Sequence, residues 1–464
     1  MTTDALDPKS NDPDSHILDL PYDVLYLIFT FGCIQTSHKQ HDFPVMISHV
    51  CRLWRQYALD TPGFWTSLRF KNPIPDIEKY RTWLGRSKNS PFDLEIGWRP
   101  FIGASMKHVK AIMRLVFPHI QRLRSLQVSD VPFKIRQVIF NRLNNVHLPS
   151  LETLHVKRGW SDDEKPALTD RKFNPFRHGD AANMKHVILE EIPYGHVIHR
   201  FKNLRTLSIT NVKIFKDSSR NNAKTVQDIL LLIPDLRLLH IHTERSFGHI
   251  PENPTLPPTT HFSLEELSFT ATESDITAIV CALVLPSLRR ICHSSGRDVG
   301  IDPCCLPIMA RARLGHPHPN LLSLRLCGRQ ARNSSAEDSL NMEFLGRALA
   351  GLLRLESLEL ESVDLDHSRH LTCLSRTGPM LKKLAFTCCS GLVLKELQAV
   401  IQSRRDPKGM GSNSLEYVHV VDTLVTLQQL HKEAEEQGLG RDAGFNITIS
   451  DGQYPHRIVV IGGE

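Results

Sequence analysis

The sequence predicts an α/β solenoid preceded by a small helical unit, and three observations predict it. A six-residue pattern, Leu-x-x-Leu-x-apolar, recurs through most of the chain. Helical stretches, several closed by proline, stand between its copies. Ahead of the first copy, two apolar stripes at helical spacing lie before residue 61.

The copies begin at Leu123, Leu151, Met184, Leu204, Leu236, Leu264, Leu288, Leu321, Leu355, Leu381 and Leu415. Their ten intervals cover 415 − 123 = 292 residues, a mean period of about 29, with gaps from 20 to 34. Alternating apolar positions within each copy predict a short strand, because a period of two places them on one face. Between copies, Val226, Ile229, Leu230 and Ile233 recur at helical steps before Pro234, and Ile276, Ile279, Val280 and Leu283 do so before Pro286. "EFLGRALAGLL" (343–353) follows the same plan without a proline. One copy alone buries too little apolar surface, so neighbouring copies must stack, which predicts a right-handed coil with parallel strands on one wall.

If the coil forms, the residue between the last two apolar anchors of each strand faces its concave side. These are Gln127, His155, Ile188, Ser208, His240, Ser268, Cys292, Arg325, Glu359, Ala385 and His419. Residues 157–184 and 243–262, rich in Pro, Asp, Asn or Thr, are expected to loop out of the coil. "FNITISDGQYPHRIVVIGG" (445–463) alternates like two strands about Asp451-Gly452, a hairpin expected to cap the last open edge.

The N-terminal unit starts at Ile17, after a polar, acidic segment (1–16) without the apolar core of a signal peptide, expected to be a disordered tail. Pro21 suits the first position of a helix. Leu20, Val24, Leu27, Ile28 and Phe31 form a stripe at three- and four-residue steps, with Leu25 and Phe29 widening it. After a polar loop, Ile47, Val50, Cys51, Trp54 and Ala58 form a second stripe, flanked by Arg52 and Arg55. That helix should end near Asp60, since Pro62 disfavours helical geometry at Thr61. Trp65, past the helix, is expected to pack these helices against the following domain, at the seam to the repeats.

"LPYDVLYLIF", then "ISHVCRLWRQYAL", resembles the F-box motif, with Leu-Pro opening its first helix and Val-Cys-Arg-x-Trp-Arg in its last. The continuation "TPGFWTSL" and "YRTWLGRSKNSPFDLEIGW" is similar to fungal F-box-like proteins, so the resemblance covers about residues 17 to 98. The loop from Cys33 to Phe43 is longer than in the compact pattern. The resemblance implies docking of a Skp-type adaptor of a cullin-RING ubiquitin ligase. By position it assigns Leu20, Pro21, Val24, Leu25, Ile28 and Phe29 on the first helix, and Val50, Cys51, Trp54 and Arg55 on the last. The downstream repeats open like the leucine-rich repeat, without its regular Asn after the strand, and are similar to the looser repeats common in F-box proteins. The organisation read from this is a tail (1–16), an F-box-like helical domain (17–68), a connecting segment with the first strand (69–122) and an irregular leucine-rich-repeat solenoid (123–464).

Composition bounds the function. The net charge of +6 is small for 464 residues and its cations are scattered, which argues against nucleic acid as partner. The longest apolar stretch, from Ile276, is far short of the ~20 residues a membrane helix needs. Ten cysteines without CxxC or metal-type spacing read as reduced thiols of a cytoplasmic or nuclear protein, and no metal or other cofactor is expected. The pairs His240/His242 and His316/His318 lack convergent ligands and are expected on the solvated surface. No GxSxG, HExxH or P-loop appears, so no catalytic residue is assigned. The expected function is therefore non-catalytic: the F-box docks the ligase adaptor, and the repeats select a target protein. The alternative is a leucine-rich-repeat interaction scaffold unconnected with ubiquitination.

Overall fold

The computed structural model describes residues 20–35, 42–72, 74–97, 105–158, 176, 181–192, 203–210, 222–242, 259–271, 283–295, 318, 320–328, 342–363, 365, 371–375, 377–389, 394–405, 415–421, 446–450 and 458–461. The tail and most of the two expected looping segments lie outside these residues, as do 272–282 of the second expected inter-copy helix. The chain divides into two compact units at Gln127/Val128.

The first unit opens with three helices, α1 (Tyr22–Gln35), α2 (Phe43–Ser48) and α3 (Arg52–Asp60). Pro21 stands one residue before α1 rather than inside it. Its carbonyl accepts from the N–H groups of Val24 and Leu25, at 3.0 and 3.1 Å, so its missing N–H breaks no helical bond. On α1 the buried residues are Leu25 and Phe29, one turn apart. The Phe29 ring meets Trp54 edge-on at 4.8 Å and Phe64 at 6.3 Å. At Gly32 α1 meets the Phe43 ring of α2, which a Cβ there would overlap.

The second stripe is not one helix. The backbone breaks at His49–Cys51, and Cys51 is extended (φ −151°), its Sγ accepting the Trp54 N–H at 3.4 Å as the cap of α3. Helical spacing across this break is fortuitous: Ile47 belongs to α2, whereas Trp54 and Ala58 belong to α3. The helix ends at Asp60, as Pro62 dictates, and a 3-10 turn (Pro62–Trp65) follows. Trp65 is 0% exposed. Its Nε1 donates to the Ala58 carbonyl at 2.7 Å, and its ring stands edge-on to Trp83 at 5.4 Å. The Arg86 guanidinium lies 4.3 Å from the ring centroid.

Trp83 and Arg86 lie on α4 (Ile77–Arg86), which links strands β1 (Ser67–Phe70) and β2 (Phe92–Gly97). These pair in parallel, with Leu68 opposite Leu94 and Phe70 opposite Ile96, and all four are buried. Helix α5 (Met106–Val116) buries Val109, Ile112, Met113 and Val116, spaced as one helical face requires.

The chain division falls within β3 (Leu123–Val131). The second unit then has α6 (Phe133–Leu143) and a parallel sheet of β4 (Thr153–Arg158), β5 (His186–Glu190), β6 (Thr206–Thr210), β7 (Leu238–His242), β9 (Glu266–Ala271), β11 (Arg290–Ser295), β12 (Ser323–Cys327), β13 (Ser357–Glu361), β14 (Lys383–Thr387), β15 (Tyr417–Val421) and β16 (Asn446–Ser450). The short strands β8 (Thr259–Thr260) and β10 (Leu283–Val284) pair separately. Leu283, expected on a helix, is therefore in an extended strand. Helices Asn222–Leu232 and Met342–Ala350 occupy two of the expected inter-copy positions. The unit is thus α/β, with a large parallel sheet.

Every copy of the pattern carries a strand, and the backbone repeats with it. In the copies from Leu151 to Leu381, the position-two carbonyl accepts from the N–H groups of positions two and three of the next copy. Arg205 O, for example, accepts from Arg237 N–H (2.9 Å) and Leu238 N–H (3.0 Å), and Arg237 O from Glu265 (2.8 Å) and Glu266 (3.0 Å). Both lone pairs of these carbonyls are used. Among the described residues, position eight turns left-handed in four copies, at Asp130, Glu191, Ser362 and Cys388 (φ 52° to 58°). The residue after each, Val131, Ile192, Val363 and Cys389, is buried. Cys389 Sγ donates to the Leu360 carbonyl of the preceding copy at 3.3 Å.

Towards the C-terminal end, β17 (Ile458–Ile461) pairs antiparallel with β16, Ile447 opposite Ile461, as the hairpin reading expects. Its turn, Asp451-Gly452, lies outside the described residues. On the helix Leu394–Arg405, the guanidinium of Arg404 is buried and donates to three carbonyls: Leu374 (2.7 Å), Gly378 (3.2 Å) and Thr377. Burial pushes its pKa down from the ordinary arginine range. Replacing Arg404→Met should destabilise the chain by about 3 kcal/mol, because three buried carbonyls lose their donors at once. A urea midpoint unchanged from wild type would contradict that role.

Candidate partner-binding surfaces

The first candidate surface lies on α1. At 100° per residue, Leu25 and Phe29 point inward, while Val24, Leu27, Ile28 and Phe31 cover about 100° of arc on the far side. That far side is exposed: Leu27 is 65%, Phe31 62% and Ile28 46% accessible, against 1% for Leu25 and 2% for Phe29. Nearby in sequence, Met46 and Val50 of the α2 region are exposed as well. A helix that is apolar all round is ordinarily buried all round. Among the described residues, nothing covers this outer face.

The structure divides the residues that the F-box resemblance assigns. Val24, Ile28 and Val50 are exposed, as are Pro21 and Arg55, and Leu20 is half-buried. Leu25 and Phe29 serve the unit's own core. Cys51 is a helix cap, half-buried like Trp54. The Trp54 indole is taken up by Phe29, but its Nε1 is buried without a hydrogen-bond partner among the described residues. Arg55 Nε donates to the Ser48 carbonyl at 2.8 Å and ties α3 to the end of α2. Leu27 and Phe31, within the stripe but outside the assigned set, and Met46, unremarked in the sequence, are more exposed than most residues assigned by motif.

The second candidate surface is the sheet face opposite the core of the second unit. His155, Ile188, Ser208, His240, Ser268, Cys292, Arg325, Glu359, Ala385 and His419 face one another strand by strand in a continuous row. Gln127 lies in the first unit. The row and its flanks are held by polar pairs: His155 to Glu190 (2.7 Å), His240 to Glu266 (3.1 Å), Lys383 to Glu359 (2.7 Å) and Arg325 to Glu361 (2.5 Å). His240 and His242 share this face, as alternation predicts, yet they are not free in solvent. His242 bonds Thr270 (2.8 Å) and Ser268 (3.1 Å), and burial first, then His240, lowers its pKa. His318 is buried too, contrary to a surface position.

Cys292 and Cys327 sit on neighbouring strands of this face. The hydrogen bond from Cys327, ahead of those from Ser268 and the charge of Arg325, brings the Cys292 thiol down to about 7 against the opposing effect of burial. Cys327, which also donates to Glu361 at 3.2 Å, is held up as a thiol. The Cys292 thiolate accumulates as pH rises through about 7, so its alkylation by iodoacetamide should level off by about pH 8. Cys33 and Cys373, pushed up to about 11 by burial, should stay largely unmodified below pH 9. Peptide mapping of alkylated protein across pH 6–9 reads this directly, and a Cys292 rate still rising at pH 9 would contradict it.

Among the described residues no three His, Cys, Asp or Glu side chains converge to hold a metal ion, and no helix is long and apolar enough to cross a membrane. No protein-family model matches the sequence, and no curated protein matches it.

Proposed function

We propose that the chain is a non-catalytic substrate-recognition adaptor of a ubiquitin ligase. Its N-terminal helices, as an F-box, dock a Skp-type adaptor of a cullin-RING complex. Its repeats, as an irregular leucine-rich solenoid, hold the target. The observation that carries the reading is the uncovered apolar face of α1, formed by Val24, Leu27, Ile28 and Phe31. It coincides with the segment that resembles the F-box, and an exposed apolar helical face of this kind fits a helix-docking partner.

The solenoid part draws support from the strand-by-strand repeat of the backbone and from the outward row from His155 to His419. Such a row offers mixed polar side chains on a rigid sheet, suited to a protein surface. Holding the target beside ligase chemistry performed elsewhere raises its effective concentration and requires no catalytic group here. The test is co-expression of the full chain with a Skp-type adaptor. A stoichiometric complex on size-exclusion chromatography is expected, and its absence would overturn the ligase reading in favour of a free-standing repeat scaffold.

A further inference from the structure

A second feature of the repeat unit lies at the starts of its strands. From the copy at Leu151 onward position two immediately precedes the strand, and here Lys185, Arg205, Arg237 and Arg289 line one side of an open groove of about 910 Å³. Arg354, shortly before β13, joins them two strands on from Arg289, while Asp235 and Glu265 are the acids of the lining among the described residues. The formal balance is five cations against two anions, or +3.

Two of these cations are held side by side by the backbone. Thr206 faces Leu238 in the register, so Arg205 and Arg237, one residue upstream, start neighbouring strands. The Arg237 N–H donates to the Arg205 carbonyl at 2.9 Å. Like charges directly opposite one another destabilise a sheet. Some relief is internal: Arg237 lies 3.6 Å from Glu265, and Lys185 lies 2.6 Å from Glu152. Arg205 and Arg289 are exposed and have no carboxylate partner among the described residues. The arrangement therefore has an electrostatic cost that an anionic ligand would offset.

We infer that this groove binds an extended acidic peptide segment. From β5 to β13 it crosses six strand-to-strand steps of about 4.8 Å, roughly 29 Å, the length of about nine extended residues. Carboxylates on alternate residues of such a segment recur about every 6.6 Å, so some meet a guanidinium while others are skipped. The acids Asp235 and Glu265 within the wall disfavour an uninterrupted polyphosphate and leave a peptide as the better fit. Phe262, 72% exposed at the groove's side, adds an apolar contact that a peptide side chain can use. Assigning this segment to a ligase target rests on the function proposed above; the binding itself does not.

The test uses the full chain alone, so its result is separate from that of adaptor co-purification. Fluorescence anisotropy would compare a labelled nine-residue peptide alternating Glu and Ser with one alternating Lys and Ser, and with a single-stranded oligothymidine of similar charge. The Glu peptide is expected to bind at least tenfold tighter than the Lys peptide at 50 mM salt, and to weaken at 300 mM as screening requires. Arg205→Glu/Arg289→Glu, both exposed, should keep the wild-type circular dichroism and lose at least tenfold in affinity. Lys110→Glu on α5, outside the groove, should stay within twofold of wild type. Equal binding of the two peptides, or an unchanged affinity in the double variant, would overturn the proposal. Tighter binding of the oligonucleotide at the same arginines would overturn it too and assign the groove to nucleic acid.

Discussion

Val24→Glu/Ile28→Glu is expected to abolish co-purification with a Skp-type adaptor, by at least a hundredfold in affinity, while the chain stays folded. Both side chains lie on the uncovered face of α1, one turn apart. Burying two carboxylates in an apolar groove costs more than the ~2 kcal/mol that marks an interface hot spot, and about 3 kcal/mol is a hundredfold. Exposed substitutions of this kind change stability by about 0.5 kcal/mol or less, so the melting temperature should barely move. Leu25→Ala or Phe29→Ala provides the contrast, since each empties the unit's own core and should cost about 3 kcal/mol of stability. Binding would then fall only because the helices no longer hold their places. If the double glutamate variant co-purifies in full amount, the α1 face is not the docking surface.

Trp65→Ala is expected to destabilise the first unit by about 3–5 kcal/mol, the usual cost of removing a fully buried large aromatic. The indole joins two parts of that unit: it donates to Ala58 on α3 and packs against Trp83 and Arg86 on α4. Hydrogen exchange followed by mass spectrometry can read this in the full chain. Protection of peptides from α3 and from α4 should fall together. Trp65→Phe keeps most of the ring but leaves the Ala58 carbonyl without its donor, at about 1–2 kcal/mol. Loss of protection in α4 alone would show that Trp65 does not couple the two.

How far each feature was legible depends on whether local pattern or chain packing decides it. Leu25 and Phe29 against Val24 and Ile28 make the point. All four are apolar and lie at helical spacing, so the stripe identifies a helix without saying which side is core. The break at His49–Cys51 was hidden for a related reason, because residues on two short helices can mimic the spacing of one. Cys51 shows its role only through its extended backbone and its bond to Trp54. In the repeats, period-two alternation and a recurring leucine are enough to place the row from His155 to His419 on one face. The left-handed residues Asp130, Glu191, Ser362 and Cys388 carry no common side chain, so nothing local announced them.

The sequence by itself determined the strands that carry the repeated pattern, their repeat and which side chains share the sheet's outer face. Those follow from local alternation and from leucines that must be buried in every copy. Only the tertiary structure decided that α1 leaves one apolar side uncovered and that Lys185, Arg205, Arg237 and Arg289 line a single groove. These cations are separated by tens of residues along the chain, and only strand stacking at about 4.8 Å brings their backbones alongside one another. Charge that is scattered in sequence becomes concentrated through that register.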